Sequence, residues 1–241
     1  MTQIVKRSLT AVGGLVLLVG LVLVFGLSEM FLGLRPVEDG REINGIRIVA
    51  DGFTTISVVP IGDGEVALID AGMDASGEAI LAELARRGLG PAAVTAILIT
   101  HGHGDHTGAL GVFRGAEVIA LEAEMSLIDA ERGRSVRDGE VVTLGDATVR
   151  VYAMPGHTPG SAAYLVNGVL FLGDSAQVES SGTLRPAPWL VTDDRAQNRA
   201  SLVRLGAVLA DEGAGVAATV PSHSGPANGI SALADFAREN Q

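Results

Sequence analysis

Thr100-His101-Gly102-His103-Gly104-Asp105-His106-Thr107-Gly108 places three of the chain's five histidines and one aspartate within six residues. Imidazoles and carboxylates crowded into a folded interior are costly unless something satisfies their lone pairs, and a divalent cation does this best. His101 and His103 are two apart, so an extended loop points both to one side. Asp105 and His106 then remain for a second ion. The other two histidines stand in Pro155-Gly156-His157-Thr158-Pro159-Gly160 and in Pro221-Ser222-His223-Ser224-Gly225, turn-rich segments that each follow an apolar run. No histidine is left for an ordinary core or surface role, which makes the opening stretch part of a metal site.

The chain has 241 residues, 47% hydrophobic and 19% charged, enough for one domain of about 200 residues with a proper core, plus a tail. Cysteine is absent, which excludes disulfides, thiolate nucleophiles and Cys-containing zinc sites. The 17 basic residues face 28 acidic ones, and setting aside Lys6 (the only lysine) and Arg7 leaves a net charge of −13. So acidic a surface repels nucleic acid and anionic lipid headgroups, and no nucleic-acid partner is expected.

From Ser8 to Ser28 there are 21 uncharged residues rich in Leu, Val and Gly, directly after Lys6-Arg7. As a helix this run is long enough to span a bilayer, with the N-terminus held in the cytoplasm by the flanking positive charge. The alternative is a cleaved signal peptide, but the run exceeds a usual signal core and no small-x-small cleavage site stands around Gly26 to Leu34. Residues 1–34 are therefore expected to form a transmembrane anchor or signal segment, 35–44 a polar linker, and 45–241 a domain outside the cytoplasm. That domain would be membrane-anchored, or secreted after signal cleavage.

Strand-like runs follow at Ile46 to Ala50, Thr55 to Pro60 and Glu65 to Asp70. Ser76 to Gly88 reads as a helix with Ser76 as its N-cap. Ala93 to Thr100 is a continuous apolar run, as a strand covered on both faces would be. A short helix is expected over Thr107 to Phe113, a strand over Glu117 to Leu121 and an amphipathic stretch from Glu122 to Arg132. Val141 to Leu144 and Ala147 to Ala153 make a hairpin through Gly145-Asp146. Ser161 to Val166 and Val169 to Gly173 make another through Asn167-Gly168, a strong two-residue turn signal. A helix from Asp194 to Ala210, a strand from Val216 to Val220 and a helix from Ile230 to Glu239 complete an α/β layered pattern with largely antiparallel edges.

The second hairpin gathers the chemistry. With Asn167-Gly168 as the turn, Val166 pairs with Val169, and counting outward sets Ser161 opposite Asp174, beside the His157 loop. Asp70 ends its strand in the same manner and is assigned to orienting a histidine or the Thr100 to Gly108 loop. Phe53 is a candidate pocket wall. Trp189, the only tryptophan, lies in Leu184 to Asp194, between Asp174 and a helix, and its ring serves either ordinary packing or contact with an apolar part of the substrate. Two four-ligand sites sharing Asp174 account for the inventory.

His101-Gly-His103-Gly-Asp105-His106, preceded by Leu-Ile-Asp70 and followed by Gly-His157-Thr, Gly-Asp174 and Ser-His223, resembles the metallo-β-lactamase-fold hydrolase superfamily, over nearly all of residues 45–241. The resemblance implies a four-layer αβ/βα sandwich with the site at one edge. It implies one metal on His101, His103 and His157 and a second on Asp105, His106 and His223, with Asp174 bridging and Asp70, Asp105 and Asp174 as the catalytic carboxylates. Two zinc ions per chain are expected, with iron or manganese as substitutes. The implied chemistry is attack of a metal-activated water on a carbonyl or phosphoryl centre.

Among family members the chain is most similar to glyoxalase II and lactonase-like hydrolases, which keep the bridging aspartate and the Gly-His-Thr segment. The expected function is hydrolysis of a small-molecule ester, lactone or thioester. The alternatives are an iron enzyme like the persulfide dioxygenases, using His101, His157 and Asp174; a β-lactamase; and a non-catalytic membrane-tethered binding domain, which a complete ligand set disfavours. Flavodiiron-like members generally carry Glu where His103 stands.

Overall fold

The computed structural model describes residues 20, 22–128 and 132–240. Two mixed sheets face each other, with helices on both outer sides. The first sheet has the order β1-β2-β3-β4-β5-β6-β7, from β1 (Glu42–Ile43), β2 (Ile46–Asp51), β3 (Thr54–Gly62), β4 (Glu65–Ile69), β5 (Val94–Leu98), β6 (Glu117–Leu121) and β7 (Gly133–Val136). Pairing is antiparallel from β1 to β4 and parallel from β4 to β7. The second sheet contains β8 (Val141–Leu144), β9 (Ala147–Ala153), β10 (Ala162–Val166), β11 (Val169–Gly173), β14 (Ala218–Pro221) and β15 (Ala227–Asn228), in the order β15-β14-β11-β10-β9-β8. A separate ribbon joins β12 (Ala176–Val178) to β13 (Leu184–Pro186).

Strand alternation assigns each apolar side chain to a layer. Ala67, Ile69 and Leu98 of the first sheet meet Val149, Tyr164 and Phe171 of the second in the central core. Their neighbours Val66, Leu68 and Ile97 point the other way, onto Ile80 and Leu84 of α2 (Glu78–Arg86). On the far side, Leu170 and Leu172 pack against Leu202 and Leu205 of α5 (Arg195–Asp211) and Phe236 of α6 (Ser231–Glu239). Strands covered on both faces have no polar alternation, which is why Ala93 to Thr100 reads as an unbroken apolar run.

The Asn167-Gly168 turn forms as the sequence predicts: both residues have positive φ, 50° and 74°, and Val166 pairs with Val169. Other local expectations change. Ser76 does not cap α2; Gly77 holds the cap position, and the Asp74 carboxylate takes hydrogen bonds from the Ser76 and Glu78 amides instead. The helix expected over Thr107 to Phe113 is a single turn, α3 (Gly104–Thr107), followed by a 3₁₀ segment at Gly108–Val112. Gly108 must lie flat against the Gly72 and Met73 backbone there, since a Cβ would come within 2.8 Å of it. The amphipathic stretch from Glu122 shortens to α4 (Glu122–Met125), and the chain re-enters the first sheet as β7.

The expected transmembrane run falls largely on residues 1–19 and 21, outside the described residues. Residues 22–31 are helical and are denoted α1. Among the described residues no helix is long and apolar enough to cross a membrane. The segment read as a linker is tied down by backbone hydrogen bonds: Arg35 N donates to Val178 O, Gly225 N to Arg35 O, and Glu42–Ile43 pair with β2.

Leu98 is fully buried between the two sheets. Leu98→Ala should lower unfolding free energy by about 2–5 kcal/mol, read as a reduced urea midpoint with unchanged slope.

Candidate metal centre

All the candidate ligands stand at one edge of the two sheets. His101, His103, Asp105 and His106 follow the C-terminal end of β5, and Asp70 follows that of β4. His157 follows β9, Asp174 follows β11 and His223 follows β14. This is the strand edge at which open α/β sheets bind ligands, because loops there can differ without disturbing the core. Two glycines make the approach possible. Gly173 has φ +55°, and a Cβ on it would lie 2.7 Å from the Thr100 side chain; Gly156 has φ +137°, and a Cβ there would meet the Asn198 backbone at 2.2 Å.

The side chains form two groups that share Asp174: His101, His103, His157 and Asp174; and Asp105, His106, Asp174 and His223, with the ligand atoms of each within 4.8 Å of one another. In the first, His101 Nε2, His103 Nδ1 and His157 Nε2 lie 3.0–3.2 Å apart. Tetrahedral zinc with bonds of about 2.0–2.1 Å sets its nitrogen ligands about 3.3 Å apart, so the spacing fits an ion at the centre. In the second, His223 Nε2 is 2.9 Å from Asp174 Oδ2 and 3.2 Å from Asp105 Oδ2, and His106 Nε2 is 3.3 Å from Asp174 Oδ1.

The outer hydrogen bonds select the tautomers. His106 Nδ1 donates to Asp70 Oδ2 at 2.8 Å, and His223 Nδ1 to the Phe53 carbonyl at 3.0 Å. The Thr100 hydroxyl gives its proton to Asp70 at 2.8 Å and so accepts from His101 Nδ1 at 3.2 Å. Thr192 gives its own to the Pro188 carbonyl and accepts from His157 Nδ1 at 3.5 Å. Four Nε2 atoms are thereby turned inward. His106 Nε2 and Asp174 Oδ1 are buried without any hydrogen-bond partner, and such atoms call for a cation between them. The residues present fit two metal ions.

Electrostatics separates the groups. Burial, joined by neighbouring imidazoles, pushes His101 well below the usual histidine range and His157 down to about 4, against the pull of Asp174. For His106 burial acts the same way, but Asp174 and Asp70 outweigh it and hold the ring well above that range. For His223 burial is outweighed by Asp174 and Asp105, and the value rises to about 10. Asp174 is desolvated, yet His223 and His106 keep it well below an ordinary carboxylate.

Residues 49–219 match the family described as the Metallo-beta-lactamase superfamily. The chain belongs to this superfamily. Metallo-beta-lactamase domain-containing protein 1 of Xenopus laevis is 30% identical over 148 residues, covering 59% of this chain and 61% of that protein. A hydroxyacylglutathione hydrolase of Aeromonas hydrophila is 36% identical over 120 residues, covering 48% and 44%. The chain thus spans about half the length of these curated relatives. Among solved structures, a metallo-beta-lactamase from Pontibacter korlensis superposes with a TM-score of 0.68 at 17% identity, covering 85% of this chain and 98% of that one. A metallo-beta-lactamase family protein of Thermus thermophilus gives 0.65 at 24% identity, covering 83% and 80%. These likenesses show the superfamily fold.

Within that fold, the structure also shows residues that the sequence did not single out. Glu124 of α4 is fully buried. Its Oε2 accepts from the Gly102 amide at 2.7 Å, while Oε1 accepts from the Thr158 hydroxyl at 2.5 Å and the Gly160 amide at 2.8 Å. One side chain thus clamps the His101–His103 loop to the His157 loop. Asn198, also buried, ties Ala187 to Ser175 beneath the segment that carries Thr192. Trp189 does not face the cluster; its ring packs on Gly26 of α1, while Leu190 to Asp193 line the cavity. Phe53 does line it, tilted over His223 with ring centroids 5.4 Å apart.

Glu124→Gln would aim an NH₂ at a backbone or hydroxyl donor, a cost of about 1–3 kcal/mol. Metal affinity of the three-histidine group should fall about 10–100-fold, measured by chelator competition. A histidine must be neutral to bind a metal. At pH 7 the metal-free protein has His101 and His157 already neutral but His106 and His223 protonated, so filling the second group should release about two protons more than filling the first. Lowering the pH should therefore weaken the second group before the first, and calorimetry in buffers of different ionisation enthalpy reads the difference.

Proposed function

We propose that this chain is a metal-dependent hydrolase that cleaves a small ester, lactone or thioester. His101, His103 and His157 hold one ion, Asp105, His106 and His223 a second, and Asp174 touches both, with zinc as the metal and iron or manganese as substitutes. The observation that carries this reading is the pair of ligand groups meeting at Asp174, with an unpartnered nitrogen and an unpartnered oxygen facing each other. Zinc bound there supplies a water of lowered pKa and an electrophile for the carbonyl oxygen. The superfamily match and the hydroxyacylglutathione hydrolases among its relatives support hydrolysis.

The chain's own residues then have separable tasks. Asp174 and Asp105 are the ligand carboxylates that face the cavity. Asp70 acts at one remove: it takes the Thr100 amide, the Thr100 hydroxyl and the His106 ring in three hydrogen bonds, so it positions rather than reacts. No serine or cysteine nucleophile is required. An iron site built from His101, His157 and Asp174 alone would leave His106 and His223 facing Asp174 without a role, so the dioxygenase reading is not favoured. We further place the protein at a membrane, held by the apolar run from Ser8 to Ser28, with the folded domain outside the cytoplasm. The exposed Val22, Leu23, Val24 and Phe25 at the described end of that run support this.

Purified full-length protein should contain about two zinc per chain and hydrolyse members of a panel of lactones, thioesters and esters. In Asp174→Ala, metal content should fall and turnover should drop more than about 100-fold. One iron per chain, or activity confined to β-lactams or persulfides, would replace this reading. Cell fractionation checks the anchor: full-length protein in the membrane fraction is expected, and a soluble product about 30 residues shorter, the length of a signal segment, contradicts it.

A further inference from the structure

The cavity over the metal centre has a volume of about 620 Å³, within the range of about 300–1,000 Å³ common for small-molecule sites. Its floor is polar, with His103, Asp105, Asp174 and His223. The wall is of another kind. Met30 and Phe31 come from the last turn of α1, Phe53 from the turn between β2 and β3, and Leu190 and Val191 from the segment before α5. Phe31 and Phe53 meet edge to face with centroids 6.2 Å apart, and Phe53 in turn lies on His223, so an aromatic path runs from α1 to the ligand cluster. Phe31 is 52% exposed, Phe53 45% and Val191 36%, which is unusual for large apolar side chains gathered at one opening.

Two further observations bear on what enters. Among the described residues that line the cavity there is no lysine or arginine, while Asp193 adds a negative charge beside Leu190 and Val191. Away from the metal centre, a leaving group that carries carboxylates, such as glutathione, would meet Asp193 and find no lysine or arginine to pair with. The α1 wall is also fixed in place: Gln177 donates to the Met30 carbonyl at 3.2 Å, Arg185 to the Glu29 carbonyl at 2.6 Å, and Gly26 sits on the Trp189 ring.

We propose that the cavity selects substrates carrying an uncharged apolar chain, which lies along Phe31, Met30, Phe53 and Leu190 with the scissile carbonyl over Asp174 and His223. The substrate class is thus a medium-chain acyl ester, thioester or alkyl lactone with a small uncharged leaving group. α1, read from sequence as part of an anchor, is a specificity element of the site. This rests on the hydrolase reading above.

The test uses the zinc-loaded full chain in phosphatidylcholine nanodiscs with p-nitrophenyl esters from acetate to octanoate. The kcat/KM should rise about three- to fourfold per added methylene, and an S-octanoylglutathione should be a poor substrate beside the octanoyl thioester of a small neutral thiol. In Phe31→Ala the ratio of octanoate to acetate kcat/KM should fall about tenfold, and Phe31→Leu should restore most of it. Thermal midpoints confirm that both variants are folded. A chain-length series that is flat in the unaltered protein, or a ratio unmoved in both folded variants, overturns the proposal and leaves the hydrolase reading standing. If no ester, lactone or thioester is turned over, that reading fails instead, and binding of octanamide decides the present one. Saturable binding above that of empty discs, weakened about tenfold in Phe31→Ala, supports the apolar site; its absence overturns it.

Discussion

Convergence of unpaired nitrogen and oxygen atoms at Asp174 is the constraint around which the structure is arranged. Five imidazoles and two carboxylates reach one sheet edge, where His106 Nε2 and Asp174 Oδ1 are buried without a hydrogen-bond partner. The surrounding chain sharpens this: the Thr100 hydroxyl, the Asp70 carboxylate, Thr192 and the Phe53 carbonyl each occupy the outward nitrogen of a ring. What faces inward is the other ring nitrogen, the one that a metal ion would take, and a bound ion would cross-link the loops that meet there.

Asp70 shows how a backbone constraint serves that arrangement. It has φ 60°, in the left-handed region that non-glycine residues seldom occupy. Its amide binds the Leu98 carbonyl while both carboxyl oxygens reach the next loop, the one that opens with Thr100. Three bonds repay the conformational cost and bring the ends of β4 and β5 into a fixed relation.

Much of this was legible in the residues. The histidine-rich loop, the covered strands and the Asn167-Gly168 register lead from spacing alone to a layered α/β fold with Asp174 beside His157. What was not legible depended on partners far along the chain. Ser76 has the right chemistry for an N-cap, but Asp74 reaches the same amides and takes the role. Glu124 carries no local signal, since its importance lies in two loops that reach it from 22 and 36 residues away. Arg35 and its neighbours read as linker because the bonds that dock them, from the backbone and from the Arg35 guanidinium to the Pro226 carbonyl, reach partners far along the chain. For Trp189 packing and substrate contact both stayed open, because sequence cannot say which side of a loop a ring will face; the ring packs on Gly26.

The origin of the ligands at four separate strand ends has a kinetic consequence. In the unfolded chain His101 and His223 are separated by more than a hundred residues, so closing that loop before the sheets form is entropically unfavourable. The parallel β11–β14 pair sets His223 beside Asp174 within the second sheet, and the His101 to His106 loop of the first sheet reaches them only when the two sheets face each other across the central core. A metal ion therefore cannot template this fold from the start. Bound to a topology of long-range contacts already in place, it would slow the reverse reaction by holding together strand ends that must separate for the protein to unfold.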